Sequence, residues 1–125
     1  MAREGFEPAR GAVLPLALLP APCVLREHAI ESLKRLKRPW KIVFTGSSMV
    51  SVQAAVCAGL GVSILPRSSL LPGMQVLPKG RNYPDPGPLE VGVLRGAGAR
   101  TDIVAALERV VSQTLDVLAL TRHAA

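Results

Sequence analysis

The chain has 125 residues, 49% of them hydrophobic and only 3% aromatic, with a formal net charge of +6. That length fits one domain, and that apolar share excludes a disordered chain while asking for a core of Ala, Val, Leu and Ile. The positive balance admits acidic ligands or nucleic acid without requiring either.

Residues 1–12 mix Gly, Pro and charges of both signs without periodicity, and are expected to be a disordered tail. Leu14 to Leu19 is a short apolar strand, ended by Pro20 and Pro22. The wider apolar run from Ala12 to Leu25 is broken by three prolines, which argues against a membrane span. The mixed charges before it make a poor export signal. A cytoplasmic, reduced protein is the expectation.

Leu25, Ala29, Leu33 and Leu36 recur at helical spacing through the segment Arg26 to Lys37, and Pro39 ends that helix. Lys41 to Thr45 is a β-branched strand. Ser47 to Ala58 follows as a helix capped by Ser47 or Ser48, with Cys57 and most of its side chains expected to be buried. Gly59 suits a left-handed helix end. Val62 to Leu65 and Met74 to Leu77 are the next strands. Residues 78–88 hold Pro78, Pro84, Pro86 and Pro88 and read as a crossing loop. Leu89 to Arg95 is a further strand. Thr101 can cap a last helix whose buried stripe is Ile103, Leu107, Val110, Val111, Thr114 and Leu118. Such alternation predicts an α/β fold with a mainly parallel sheet.

The turn Thr45-Gly46-Ser47-Ser48 is the most informative stretch. It joins the carboxyl end of a strand to the amino end of a helix, where open α/β sheets hold their ligands. Free helix amides and the helix dipole favour an anion there, hydroxyls add hydrogen bonds, and Gly46 admits close approach. The plainer reading of the same residues is an ordinary N-cap. Gly96-Ala97-Gly98-Ala99-Arg100-Thr101 looks like part of a dinucleotide fingerprint but lacks its third glycine, and reads as a loop. Lys34, Arg35, Lys37, Arg38 and Lys41 cluster at the end of a helix. They read as a solvated face favoured by the dipole, with no aromatic platform beside them.

No G-x-S-x-G elbow surrounds Ser47 or Ser48, and no histidine is placed to activate them, so the chain is not expected to be an enzyme. His28, His123, Cys23 and Cys57 lack metal-ligand spacing, so no metal and no cofactor are expected. Cys23 follows a strand and precedes a helix, where a thiol can face a cleft.

The stretch Leu14 to Pro78, and above all "VQAAVCAGLGVSILPRS", resembles the effector-binding domain of LysR-type transcriptional regulators. "PLEVGVLRGAGARTDIVAALERVV" continues the likeness more loosely. The resemblance implies a lobe like those of type 2 periplasmic binding proteins, in an incomplete two-lobe domain. Residues 13–78 would be second-lobe-like, and residues 79–125 the crossover with a first-lobe strand and helix. The chain would be a fragment without the family's winged helix-turn-helix. The resemblance further implies a small effector, an organic acid or similar polar metabolite, held by Phe44, Thr45, Gly46, Ser47, Ser48 and Met49. Cys23 would lie on the same rim, where some peroxide-sensing members carry a reactive cysteine. No DNA binding by this chain alone is expected, and any contact with DNA would be weak and driven by charge. Self-association through unmatched apolar faces is expected, and no membrane contact. The alternative is a fragment of a periplasmic-type solute-binding protein, which would need an export signal.

Overall fold

The computed structural model describes residues 1–8, 11–80, 83–89, 94, 96 and 101–120. The elements are β1 (Ala2–Arg3), β2 (Leu14–Leu18), α1 (Val24–Arg35), β3 (Trp40–Thr45), α2 (Met49–Cys57), a 3-10 turn (Arg67–Ser69), β4 (Met74–Gln75) and α3 (Thr101–Leu120). The chain divides into two units, Met1–Gly87 and Pro88–Ala125.

β2 organises the first unit. Its sequence is apolar throughout, as a strand covered on both faces requires. Leu14, Leu16 and Leu18 join Ala29 and Leu33 of α1 in one buried cluster. Ala17 joins Val52, Ala55 and Val56 of α2 in another. The two helices therefore sandwich the strand, and both clusters are built from aliphatic side chains. β3 lies parallel to β2, from Leu14 opposite Trp40 to Leu18 opposite Thr45.

The pairing shifts between Leu16 and Ala17, which face Ile42 and Phe44, so Val43 is the extra residue of a bulge. Trp40 and Ile42 pack on the α1 side of the sheet. Phe44, an even step further, would follow them in a regular strand; past the bulge it packs on the α2 side instead.

Several expectations are corrected. Residues 1–12 are not simply a disordered tail: Ala2–Arg3 pairs antiparallel with Met74–Gln75, and Ala2 is fully buried. Met1 and Ser63 exchange hydrogen bonds, the amine donating to Ser63 O at 2.6 Å and Ser63 N donating to Met1 O at 2.9 Å. A two-residue strand is too short to leave a periodic pattern. The expected strand Val62 to Leu65 is a single parallel bridge between Val62 and Leu16. Ala17 N donates to Val62 O, and Val62 N to Pro15 O, both at 2.9 Å. Among the described residues the sheets are thus one parallel pair and one antiparallel pair. α2 is not buried on most sides, since Val50 is 72% exposed, and Cys57 is only half-buried. Most of the expected strand Leu89 to Arg95 lies outside the described residues.

The loop after β4 folds back on the first core through Leu77 and Tyr83. Burial pushes the Tyr83 phenol above its ordinary value, and the nearby positive charge of Arg38 opposes that shift. In the second unit α3 carries an apolar stripe expected to be buried, yet Ile103, Leu107 and Val110 are exposed. Helical periodicity shows that a face wants cover without saying what supplies it.

Candidate ligand-binding site

Because β2 and β3 are parallel, their carboxyl ends share one edge. There the chain turns into a helix twice, through Leu19 to Cys23 into α1 and through Gly46 to Ser48 into α2. Gly46 N donates to Leu18 O at 3.0 Å, which ties the second turn to the end of β2. A Cβ at Gly46 would overlap Ser51 Oγ and lie 2.9 Å from Phe44 Cε1 and 3.0 Å from Val52 Cγ2. Only glycine fits so close to both the cap and the aromatic wall.

Ser48 is the N-cap of α2. Its Oγ accepts from Ser51 N at 3.2 Å, and Ser51 Oγ accepts from Ser48 N at 3.2 Å, a reciprocal capping box. The Ser51 hydroxyl also donates to Ser48 O at 2.7 Å. The first backbone bond of this helix is Val52 N to Ser48 O. Four amides open any helix without an intrahelical acceptor. The box satisfies those of Ser48 and Ser51 and leaves those of Met49 and Val50. Thr45 and Ser47 are exposed, and their hydroxyls are not engaged by another described residue. Phe44, Met49 and Leu19 each pack against the α2 cluster and give the edge an apolar border. The edge thus offers two amides, two hydroxyls and an apolar wall, a set suited to an oxygen-rich ligand with a small apolar body.

Cys23 is the N-cap residue of α1 and makes no side-chain cap bond. It is a free, half-buried thiol on the same edge.

The family model of the LysR substrate binding domain matches residues 2–116. The chain belongs to this family. It is similar to the HTH-type transcriptional regulator PecT of Dickeya dadantii (strain 3937), with 32% identity over 74 residues. That match covers 59% of this chain and 23% of PecT, so the chain spans about a quarter of that relative. Membership carries the α/β fold of type 2 periplasmic binding proteins and the role of an effector-binding regulatory domain. The match begins at residue 2, in agreement with β1 as part of the LysR substrate-binding domain.

Sequence reasoning missed Arg26 in this domain. Its Nη1 donates to Leu19 O at 2.9 Å, which sets a guanidinium on the edge shared by the two turns. The signal was present: a cation in the first turn of a helix opposes the dipole and calls for a reason.

An open groove of about 440 Å³ lies at the far end of α1, between Ser32, Arg35 and Leu36 on one side and residues 84–87 on the other. None of Phe44 to Met49, nor Cys23, lines it. It adjoins the carboxyl end of α1, and its charged lining is one cation, Arg35, and one carboxylate, Asp85. Among the described residues no group of three His, Cys, Asp or Glu is placed to hold a metal ion. No described helix is long and apolar enough to cross a membrane.

Proposed function

We propose that this domain binds a small organic acid or similar polar metabolite at the carboxyl edge of β2 and β3. The observation that carries the reading is the pair of unengaged amides at Met49 and Val50, beside the unengaged hydroxyls of Thr45 and Ser47. One carboxylate would take the amides, with the helix dipole behind them. Phe44 and Met49 supply the apolar wall, and Gly46 keeps the approach open. Ser48 holds the turn in place rather than the ligand. Cys23 and Arg26 stand on the rim, and the cation favours the same charge of ligand.

The domain works by binding, as a regulator of transcription in the cytoplasm, and not by catalysis. Residues 13–78 form the effector lobe, and residues 79–125 are the crossover and the returning strand and helix of the other lobe. Desolvating a ligand takes two walls, and this edge supplies one of them.

The test is calorimetric titration of a panel of small carboxylates into a protein carrying both lobes. Thr45→Ala and Ser47→Ala should each weaken binding about tenfold, the loss of one hydrogen bond to a charged group. If both leave every affinity untouched, the turn only starts a helix.

A further inference from the structure

His28, Ser32, Arg35 and Leu36 recur along one face of α1. The loop that closes the first unit lies over that face. Ser32, Arg35 and Leu36 line one side of the open groove, and residues 84–87 line the other. Tyr83 packs on the α1 core cluster and feels the charge of Arg38, just beyond the last turn of the helix. Pro86 O lies 3.4 Å from Nδ1 of His28, in the second turn. The loop therefore runs back along α1, from its carboxyl end towards its amino end.

The loop is braced within itself. Lys79 pairs with Asp85, Gly80 N donates to Tyr83 O at 3.0 Å, and Gly87 N donates to Asp85 Oδ1 at 3.2 Å. Its hold on α1 is slighter. The Tyr83 ring anchors one end and His28 the other, with a groove of about 440 Å³ beside α1. Among the described residues, the His28 contact is the one side-chain hydrogen bond between α1 and residues 79–87. A segment that is well formed but lightly held can dock and release as a unit.

We infer that His28 is a pH-dependent clasp, which holds residues 83–87 against α1 in acid and slackens them as pH rises. A carbonyl oxygen only accepts, so the contact with Pro86 O needs a hydrogen on Nδ1. The imidazolium always carries one there. The neutral ring carries one on either nitrogen, and its other tautomer sets a lone pair against the carbonyl. Protonation therefore favours the docked loop and makes its bond charge-assisted. Histidine changes charge between about pH 5 and 8, so the hold is full at the acid side of that window and weakens through it.

The charged residues within a turn of His28 on α1 are Glu27 and Glu31, with Arg35 further along the same face. The loop brings Asp85 and Lys79. A hydrogen bond from Lys79 holds the Asp85 carboxyl below its ordinary range, and burial raises the Tyr83 phenol, so neither changes charge in that window. The Met1 amine, lowered to about 6 by burial, does titrate there. It lies with the α2 cluster, however, bonded to Ser63. The clasp is independent of the effector reading. The first unit ends at Gly87, so the clasp sets how firmly the segment leading to the second unit is anchored.

Tyr83 is the one tyrosine of the chain, so its ring is a unique reporter. The experiment follows nuclear Overhauser contacts from that ring to the methyl groups of the α1 core cluster, between about pH 5.5 and 7.5. The 125-residue chain is used with its amine acetylated, which silences Met1. The contacts should weaken reversibly as pH rises, with the same midpoint as the His28 ring protons, while far-UV circular dichroism stays constant. His28→Asn keeps an N–H donor near the Nδ1 position without titrating and should hold the contacts constant. His28→Ala should lower them at pH 5.5 to the wild-type level at 7.5. His123→Gln, at the other histidine, should leave the wild-type profile unchanged. Contacts that ignore pH in the wild type would overturn the clasp. So would a pH profile that survives in His28→Asn or disappears in His123→Gln. A parallel loss of ellipticity would make the change one of global unfolding and overturn it too.

Discussion

Lys37 and Gly59 occupy the same station in two helix ends, with φ of 51° and 78°. Each follows a C-cap residue, Leu36 after α1 and Ala58 after α2. Each opens the same pair of bonds: Lys37 N to Lys34 O and Arg38 N to Leu33 O, Gly59 N to Val56 O and Leu60 N to Ala55 O. These are the two bonds of a Schellman motif. Glycine holds this conformation without strain, and lysine does not. Lys37→Gly should therefore stabilise the domain by about 1 kcal/mol, and Gly59→Ala should destabilise it by a similar amount. Urea midpoints of the two variants at equal m-value check both signs.

Gly46→Ala should cost about 1–3 kcal/mol, because the new methyl meets Ser51 Oγ and the Phe44 ring inside contact distance. Ser51 can rotate away only by opening the capping box. The variant should lose stability and show a displaced Phe44 resonance in an aromatic NMR spectrum.

Ser47 and Ser48 should separate cleanly. Ser48→Ala removes the cap and should lower stability by about 1 kcal/mol. Ser47→Ala should leave the unfolding midpoint within about 0.5 kcal/mol, as for a surface site, and act on effector affinity. Paired unfolding and titration curves decide it. A Ser47→Ala variant as unstable as Ser48→Ala would reverse the roles.

In a chain that starts with a free amine at Met1, stability should depend on pH between 6 and 8. Burial removes water from the amine and lowers its pKa to about 6 from 8.0. In that window the unfolded chain binds the proton more readily than the folded one. Stability is fully present above pH 8 and falls as pH drops to 6, by on the order of 2 kcal/mol. Acetylating the amine should flatten that part of the profile measured by urea titration.

Ile103, Leu107 and Val110 leave an apolar stripe open on α3. Self-association should follow, since exposed contiguous apolar surface seeks cover. Leu107→Glu with Val110→Lys should shift the sedimentation profile towards monomer. An unchanged profile would mean that this stripe is covered in another way.

The helices α1 and α2 and the strand β3 were legible from residues alone. Their periods run through several repeats, and Pro39 and Gly59 mark their ends through backbone stereochemistry. The carboxyl-edge turn was legible for the same reason, since a strand followed by small hydroxyl residues and an apolar helix needs a turn there. The LysR likeness rested on that register of helix, glycine, strand and proline. Other features waited for the tertiary structure, because they depend on partners distant in sequence. Ala2–Arg3 is a strand only because Met74–Gln75 lies beside it. Ser48 rather than Ser47 is the cap because Ser51 returns its bond. Phe44 reaches the α2 side only because the register shifts opposite Leu16 and Ala17. Arg26 joins the edge through the carbonyl of Leu19, seven residues back. Local sequence sets local backbone preference, whereas register, burial and charge balance are set by what the fold brings alongside.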